Sequence, residues 1–313
     1  MIQFTSRRCV LTAVALAFVA AAIEIPVHPL AAQTPAAGTR KKKAEELPSQ
    51  EAVLAESTVA KLNVAYGDDE KQRLDVYSPK GVKDAPVVVF FHRGEWTRGD
   101  KSEVSYKPKF LNENGIVFVA ANYRLSPAVT HPAHICDAAD AVCWVHDHAA
   151  EIGTSPQKIV ILGHSAGCHL VTLLALDPRY LAGDGLRPTD LRGVVAWSGG
   201  AYDLVAKVKA GGTYAPYIRQ AFGDSEATWR DASPVAHVGD AQPLPPFLFV
   251  SVEKGNSSHQ ATEHLAGLIR GAKGQADSRL LENRTHMTAI HLVGAPADAT
   301  GAILLDFIRR VTR

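Results

Sequence analysis

The hydrophobic pattern of this chain switches repeatedly between the periodicities of strands and helices. Residues 59–66 and 73–77 alternate apolar with polar positions, as short strands do, and Gly67-Asp68-Asp69 supplies a turn between them. Continuous apolar runs at 86–91 and 116–121 predict strands that are buried on both faces. Similar runs predict strands at 158–162, 194–197, 247–250 and 278–281, and helical spacing predicts helices at 106–112, from about 132, and at 168–176, 260–270 and 300–310.

The order of these elements predicts one α/β domain over residues 58–313. Strands that alternate with helices form a mostly parallel, twisted sheet, here of eight strands, with helices on both faces. The helix from about residue 132 has one apolar face, formed by Ile135, Ala138, Ala139, Val142 and Cys143. Ligands of such sheets bind beyond the carboxyl ends of the strands. Four residues that directly follow predicted strands are therefore expected to converge there: His92, Ser165, Glu253 and His286.

One segment, residues 203–238, interrupts the strand–helix alternation. It contains no clean strand and is rich in glycine and aromatic residues, among them Tyr214, Tyr217, Phe222 and Trp229. We predict that it is a small inserted lid over the site.

The N-terminal region does not have the pattern of a folded domain. Arg7 and Arg8 precede an apolar run at 9–23, and Ala31-Ala32 offers a cleavage point, so residues 1–32 are predicted to be an export signal of the Sec or twin-arginine type. The alternative is an uncleaved membrane anchor, although the run is short for a full span. Residues 33–57 are charged and predicted to be a flexible linker. Export would place the domain in the periplasm or outside the cell.

Composition excludes some partners and leaves the enzyme classes open. The 313 residues carry a formal net charge of +1, which gives no reason to expect nucleic acid as a partner. The cysteines of the domain have no zinc-site spacing, and we expect Cys136, Cys143 and Cys168 to be small buried residues, although a disulfide that involves Cys168 is conceivable.

The candidate nucleophile is Ser165, in Gly163-His164-Ser165-Ala166-Gly167. This G-x-S-x-G motif lies between a predicted strand and a predicted helix, which is the setting of a nucleophile elbow. The chain must reverse so sharply at the serine that side chains two residues away would collide, and glycine at both places removes the collision.

A serine hydroxyl needs a base, and the base needs an acid that fixes its tautomer. His286 follows the last predicted strand and is preferred to His291, which lies close behind. Glu253, just past the strand at 247–250, is the first candidate for the acid, and Asp203 is the alternative. Backbone donors for an oxyanion are expected from Ala166 and from the loop after the strand at 86–91.

Four stretches together resemble the α/β-hydrolase fold, in particular the hormone-sensitive-lipase and kynurenine-formamidase-like esterases. They are His92-Arg93-Gly94-Glu95-Trp96 with Arg98-Gly99-Asp100-Lys101, then Asn122-Tyr123-Arg124-Leu125-Ser126-Pro127, the elbow, and residues 286–290. The resemblance covers the chain from Val59 onward.

The resemblance implies roles for several residues. Ser165 would be the nucleophile and His286 the base, and Gly94 and Ala166 would donate to the oxyanion, with Arg93 in the same loop. Arg93 stands where the family usually has glycine, and its guanidinium could instead reach the acid part of a substrate. Candidates for substrate contact are Trp96, His164, Trp197 and Tyr202.

The sequence therefore predicts a secreted serine hydrolase of small carboxylic esters, with a short acyl or aryl group and an acyl-enzyme intermediate. Such an enzyme needs no metal or organic cofactor, and it would contact a membrane only through an uncleaved signal. The alternatives are an aryl-formamide or amide hydrolase of the same fold and a catalytically impaired binding member of it.

Overall fold

The computed structural model of the protein describes residues 58–253 and 257–313. The predicted export signal and linker, residues 1–57, lie outside the described residues, and so do residues 254–256. Among the helices within the described ranges, none is long and apolar enough to cross a bilayer.

The strands predicted from the hydrophobic pattern are all present. They are β1 (Thr58–Ala65), β2 (Arg73–Pro79), β3 (Ala85–Phe91), β4 (Val117–Ala121), β5 (Thr154–His164), β6 (Leu191–Trp197), β7 (Phe247–Val252) and β8 (Ala276–Leu281). In the part of the chain that the structure describes, they form one eight-stranded sheet in the order β1-β2-β4-β3-β5-β6-β7-β8. Only β2 runs antiparallel to its neighbours β1 and β4, so the predicted mostly parallel sheet is confirmed.

The predicted helices are confirmed as well, and short ones join them. The helices are α1 (Lys107–Glu113), α2 (Ala133–Asp147), α3 (Ala166–Leu176), α4 (Arg179–Ala182), α5 (Leu204–Ala210), α6 (Ala215–Phe222), α7 (Glu226–Asp231), α8 (Ser257–Gly271), α9 (Thr288–His291) and α10 (Thr300–Val311). Single 3₁₀ turns lie at Ala149–Ile152, Pro188–Asp190 and Pro234–His237. The segment 203–238, for which no strand was expected, consists of α5, α6, α7 and the last of these turns.

The sheet has a hydrophobic core on each face. Successive strand residues point to opposite faces, so Val87, Val89 and Phe91 pack with α2, α3 and α8. Val88 and Phe90 pack on the other face with α1, α9 and α10. A strand covered on both faces has to be apolar at every position, which explains the unbroken apolar runs in the sequence.

The carboxyl ends of the central strands finish at one level of the sheet. Phe91 of β3 pairs with Gly163 of β5, and His164 pairs with Trp197 of β6, which in turn pairs with Val250 of β7. The strand order reverses at β3, since β4 lies on one side of it and β5 on the other. The loops after β3 and β5 therefore meet at the kind of switch point where α/β sheets bind their ligands.

The three cysteines of the described residues, Cys136, Cys143 and Cys168, are buried and form no disulfide. Burial raises the pKa of both the Cys143 and the Cys168 thiols, so both stay protonated at neutral pH. The disulfide conceivable for Cys168 is therefore absent, and the three residues act as small core side chains.

Candidate active site

Ser165 lies on the sharp turn between β5 and α3. Its backbone has φ 55° and ψ −112°, a strained conformation for a residue with a side chain. A Cβ on Gly163 would lie 2.1 Å from the carbonyl oxygen of Gly167, and a Cβ on Gly167 would lie 2.2 Å from that of Phe91. Real Cβ atoms do not approach backbone that closely, so the turn requires glycine on both sides of the serine, as the sequence predicted.

The Ser165 side chain opens into a cavity of about 340 Å³. Six parts of the chain contribute to its wall. They are the loop after β3 (Glu95, Trp96), the elbow (Ser165, Ala166), the loop after β6 (residues 198–201), the segment 203–238, the start of α8, and His286. The cavity therefore unites residues that are more than a hundred positions apart in sequence.

His286 reaches this cavity from the loop between β8 and α9. Its Nδ1 lies 2.9 Å from Oγ of Ser198, and its backbone carbonyl accepts a hydrogen bond of 3.0 Å from Nε2 of His164. The rings of His164 and His286 are 4.6 Å apart. Both ends of the residue are thus held, one through the side chain and one through the backbone.

Both imidazoles are kept neutral by their surroundings. Burial, together with the positive charge of Arg93, lowers the pKa of His286 below its ordinary value, and Glu95 opposes this shift. Complete burial holds the pKa of His164 well below the ordinary value. A neutral His286 is able to accept a proton at neutral pH, as a general base must.

Neither of the carboxylates predicted as the catalytic acid contacts His286. Glu253 is exposed at the end of β7, and its side chain makes no hydrogen bond or ion pair with a residue that the structure describes. The Asp203 carboxylate caps α5, where it accepts a hydrogen bond of 2.9 Å from the backbone N–H of Ala206. The side-chain group that does lie at Nδ1 of His286 is the hydroxyl of Ser198, which directly follows the neighbouring strand β6.

The loop after β3 is a tight turn built around Gly94. Gly94 has φ 118°, and a Cβ there would lie 2.0 Å from the backbone oxygen of Arg98. Its carbonyl accepts hydrogen bonds from the backbone N–H groups of Thr97 and Arg98, at 2.9 and 3.0 Å. Ala166, the other predicted oxyanion donor, begins α3 and lines the cavity. Ala166 therefore lies at the cavity, whereas Gly94 is not among the residues that line it, and the donor role of both amides stays a prediction.

The backbone conformation and the side-chain contact of Arg93 both differ from what the sequence predicted. It does not have a positive φ, so it carries no left-handed strain, and the left-handed residues of the loop are Glu95 and Trp96. Its Nε lies 3.0 Å from the Glu103 carboxylate, and Arg93 is absent from the cavity wall. The cationic side chain that does line the cavity is Lys207. The suggested contact between Arg93 and the acid part of a substrate therefore has no support in the geometry.

Of the four predicted substrate contacts, the structure brings only Trp96 to the cavity. The Trp96 ring is fully buried and meets Phe222 edge-on at 4.9 Å. The other three are core residues: His164 bonds the His286 backbone, Trp197 donates to the carbonyl of Ala289 at 2.8 Å, and Tyr202 packs against Phe249. They directly precede or follow a loop in sequence, but their side chains turn into the faces of the sheet.

The segment 203–238 contributes Lys207, Thr213 and Tyr214 to the wall. Burial raises the pKa of Tyr214, and the adjacent Ser165 hydroxyl counteracts this. Sequence reasoning singled out Tyr214 only as one lid aromatic, and it missed Ser198. The position of Ser198, directly after a predicted strand and before Gly199-Gly200, was the signal that could have found it.

Within residues 58–253 and 257–313, no group of three or more His, Cys, Asp or Glu side chains is arranged to hold a metal ion.

Solved structures similar to this chain include those of two esterases. Esterase B from Lactobacillus rhamnosis, crystallised with an inhibitor, superimposes with a TM-score of 0.70 at 20% identity and covers 82% of this chain and 88% of its own. A truncated carbohydrate esterase from gut microbiota superimposes with a TM-score of 0.68 at 21% identity, over 83% of this chain and 99% of its own. At such low identity, these likenesses establish the fold alone.

Sequence relatives carry esterase names too. Esterase LipQ of Mycobacterium tuberculosis is 30% identical over 205 residues, which cover 61% of this chain and 48% of the relative. The isoprenylcysteine alpha-carbonyl methylesterase ICME of Arabidopsis thaliana is 29% identical over 243 residues, which cover 72% of this chain and 56% of the relative. The chain spans about half the length of such relatives.

Residues 74–263 match the sequence profile of the BD-FAE family. Because that match spans more than half of the chain, the protein belongs to the BD-FAE family, and its domain has the α/β-hydrolase fold.

Proposed function

We propose that this protein hydrolyses carboxylic esters, with Ser165 as nucleophile and His286 as general base. The observation that carries the proposal is that one cavity holds both the hydroxyl of the strained elbow and an imidazole that is neutral at neutral pH. A serine hydroxyl is a weak nucleophile until an adjacent base removes its proton. The relatives named esterase and carboxylic ester hydrolase support an ester as the substrate.

The reaction proceeds in two halves. Oγ of Ser165 attacks the ester carbonyl carbon while Nε2 of His286 takes the hydroxyl proton, and the same proton passes to the alcohol as its C–O bond breaks. Water then attacks the acyl-enzyme, gives a proton to His286 and releases the carboxylic acid, and the proton returns to Ser165. The backbone N–H groups of Ala166 and Gly94 stabilise the negative oxygen in each half.

The cavity favours small substrates. A volume of about 340 Å³ is at the lower end of ligand sites, which suits a short acyl or aryl ester. Trp96 and Tyr214 supply apolar wall, while Lys207 and Glu95 bring charge to it. Aryl-formamides fit the same chemistry and belong in the substrate panel.

Export from the cytoplasm is part of the proposal. It is supported by the basic pair Arg7 and Arg8, by the apolar run at 9–23 and by the Ala31-Ala32 cleavage point. Fractionation of cells that express the full chain, with N-terminal sequencing of the product, tests this part independently of the activity.

The activity is tested with p-nitrophenyl acetate and butyrate, phenyl acetate and an aryl-formamide. We expect Ser165→Ala and His286→Ala to lose at least about a thousandfold in kcat, and His291→Ala, which removes the neighbouring histidine, to stay within a few-fold of wild type. Undiminished turnover by Ser165→Ala would overturn the nucleophile assignment.

A second function, ligand binding without catalysis, is favoured by one observation: neither Glu253 nor Asp203 contacts His286. A fluorophosphonate probe separates the two functions, because it reacts only with an activated serine. Labelling at Ser165 supports the hydrolase. If the protein is folded but takes up no label and turns over no ester, it binds a ligand without catalysis.

A further inference from the structure

We propose that Ser198 is the positioning residue of His286 and does through a hydroxyl what a carboxylate does in other serine hydrolases. This inference rests on the proposed function and adds to it the group that orients the base. The hydroxyl oxygen accepts a hydrogen bond from the Nδ1–H group of His286. This bond fixes the ring tautomer and leaves Nε2 free to take the proton of Ser165.

The position of Ser198 is fixed by the sheet. It follows β6 directly, is 1% exposed, and its backbone N–H donates to the Val250 carbonyl of β7. His164 and Trp197 are paired across β5 and β6, so the residues after them, Ser165 and Ser198, leave neighbouring strands side by side. The two serines are alike in backbone strain, with φ 55° and 60°. Such conformations persist where the surrounding structure holds the residue in place, and they cluster at active sites.

The hydrogen bond itself connects Ser198 to the reactive ring. Oγ of Ser198 lies 2.9 Å from Nδ1 of His286, a normal hydrogen-bond length, and both residues line the cavity that contains Ser165. A neutral imidazole donates through one nitrogen and accepts through the other. If Nε2 is to receive the Ser165 proton, Nδ1 must carry the ring proton, and the hydroxyl oxygen is then its acceptor.

The charges around His286 are consistent with a neutral orienting group. Those that act on it come from the loop after β3, where Arg93 lowers its pKa and Glu95 raises it. The adjacent imidazoles, His164 and His291, have depressed pKa values of their own. A hydroxyl fixes the ring in this setting without adding the negative charge that would raise the pKa of His286.

The chain contains a matched control. Oγ of Ser251, in β7, lies 2.9 Å from Nδ1 of His259. Ser251 is 1% exposed and His259 is half-buried, so the two form the same kind of partly buried serine–histidine pair. Neither of these residues lines the cavity. Ser251→Ala therefore removes an equivalent hydrogen bond from the fold without touching the reactive ring.

The experiment compares Ser198→Ala with Ser251→Ala and Ser165→Ala on p-nitrophenyl butyrate. We expect Ser198→Ala to lower kcat at least about tenfold with KM within about twofold, because a wrong histidine tautomer lowers kcat by about 10⁴ in a Ser-His-Asp triad. The variant should also label more slowly with the fluorophosphonate. Ser251→Ala should keep the wild-type kcat. A Ser198→Ala enzyme with wild-type kcat, or an equal loss in Ser251→Ala, overturns the inference. Activity that survives in Ser165→Ala overturns the proposed function instead.

A measurement on the wild-type protein keeps the inference testable even if Ser198→Ala fails to fold. A two-bond ¹H–¹⁵N correlation spectrum of protein labelled at histidine, with His286→Asn to assign the signal, reports which ring nitrogen is protonated. A neutral ring with its proton on Nδ1 supports the positioning role. A neutral ring with its proton on Nε2 overturns it.

Discussion

Replacing Lys107 with methionine is expected to stabilise the protein strongly at neutral pH and much less at alkaline pH. Lys107, the first residue of α1, is fully buried, and its Nζ lies 5.1 Å above the Phe90 ring and 3.4 Å from the Ile290 carbonyl. Burial lowers its pKa from 10.5 to about 7, against the attraction of Glu103. Methionine has a similar length and a good helix propensity, so the change chiefly removes the charge.

The magnitude follows from the two pKa values. Between pH 7 and 10.5 the unfolded chain binds a proton at Lys107 that the folded chain does not bind, so wild-type stability rises with pH across this window. At about pH 6.5 the buried lysine costs between about 4 and 5 kcal/mol, and at about pH 9.5 the cost has fallen to between about 1 and 2 kcal/mol. The advantage of Lys107→Met over wild type should therefore shrink by about 3 kcal/mol between these two values of pH.

The assay is urea unfolding of wild type, Lys107→Met and Lys109→Met at about pH 6.5, 8 and 9.5. Lys109 lies on the same helix and is exposed, so its replacement should give a difference that hardly varies with pH. Titrating groups remote from Lys107 cancel in the comparison with wild type, whereas the pKa values of His164 and His291, which Lys107 lowers, rise somewhat in Lys107→Met. If the difference between Lys107→Met and wild type stays constant across the range, the ammonium is not desolvated in the folded protein and the reasoning fails.

Two further predictions concern the site. Gly163→Ala would place a Cβ 2.1 Å from the Gly167 carbonyl oxygen, so it should lower the free energy of unfolding by at least about 2 kcal/mol and remove most of the activity. Gly267→Ala, in open space on α8, should leave the stability unchanged or raise it. Equal stability of the two variants in thermal or urea unfolding would contradict the elbow geometry. Because burial and Arg93 lower the pKa of His286, kcat/KM should keep its plateau below pH 6.5 before it falls as the imidazole is protonated. Arg93→Met should move this acid limb to higher pH, and a limb that does not move would remove Arg93 as a cause.

Much of the fold could be predicted because it follows from local periodicity. Runs such as 86–91 are apolar at every position since both faces of the strand are covered, and the apolar stripe of the helix from about 132 packs into the core on one face of the sheet. The elbow was equally readable, because the glycines at 163 and 167 answer a steric demand of neighbouring atoms.

The predicted substrate contacts show where local pattern fails. His164 and Trp197 are the last residues of β5 and β6, and a strand side chain points to one face or the other rather than past the strand end. Which residue reaches the cavity depends on how the backbone turns after the strand. The left-handed conformation of Ser198 is such a turn. Gly199-Gly200 marks in the sequence that the chain turns there, but not where the Ser198 side chain points.

The sequence by itself determined the α/β order of elements, the strained serine and the edge of the sheet where chemistry takes place, since each depends on residues that are close along the chain. Only the tertiary structure decided what holds His286, since Ser198 is 88 residues away from it and the choice among Ser198, Glu253 and Asp203 depends on the path of three loops. It also decided that Lys107 is buried against Ile290, 183 residues away. Contacts over such distances arise from packing of whole elements, and no local pattern encodes them.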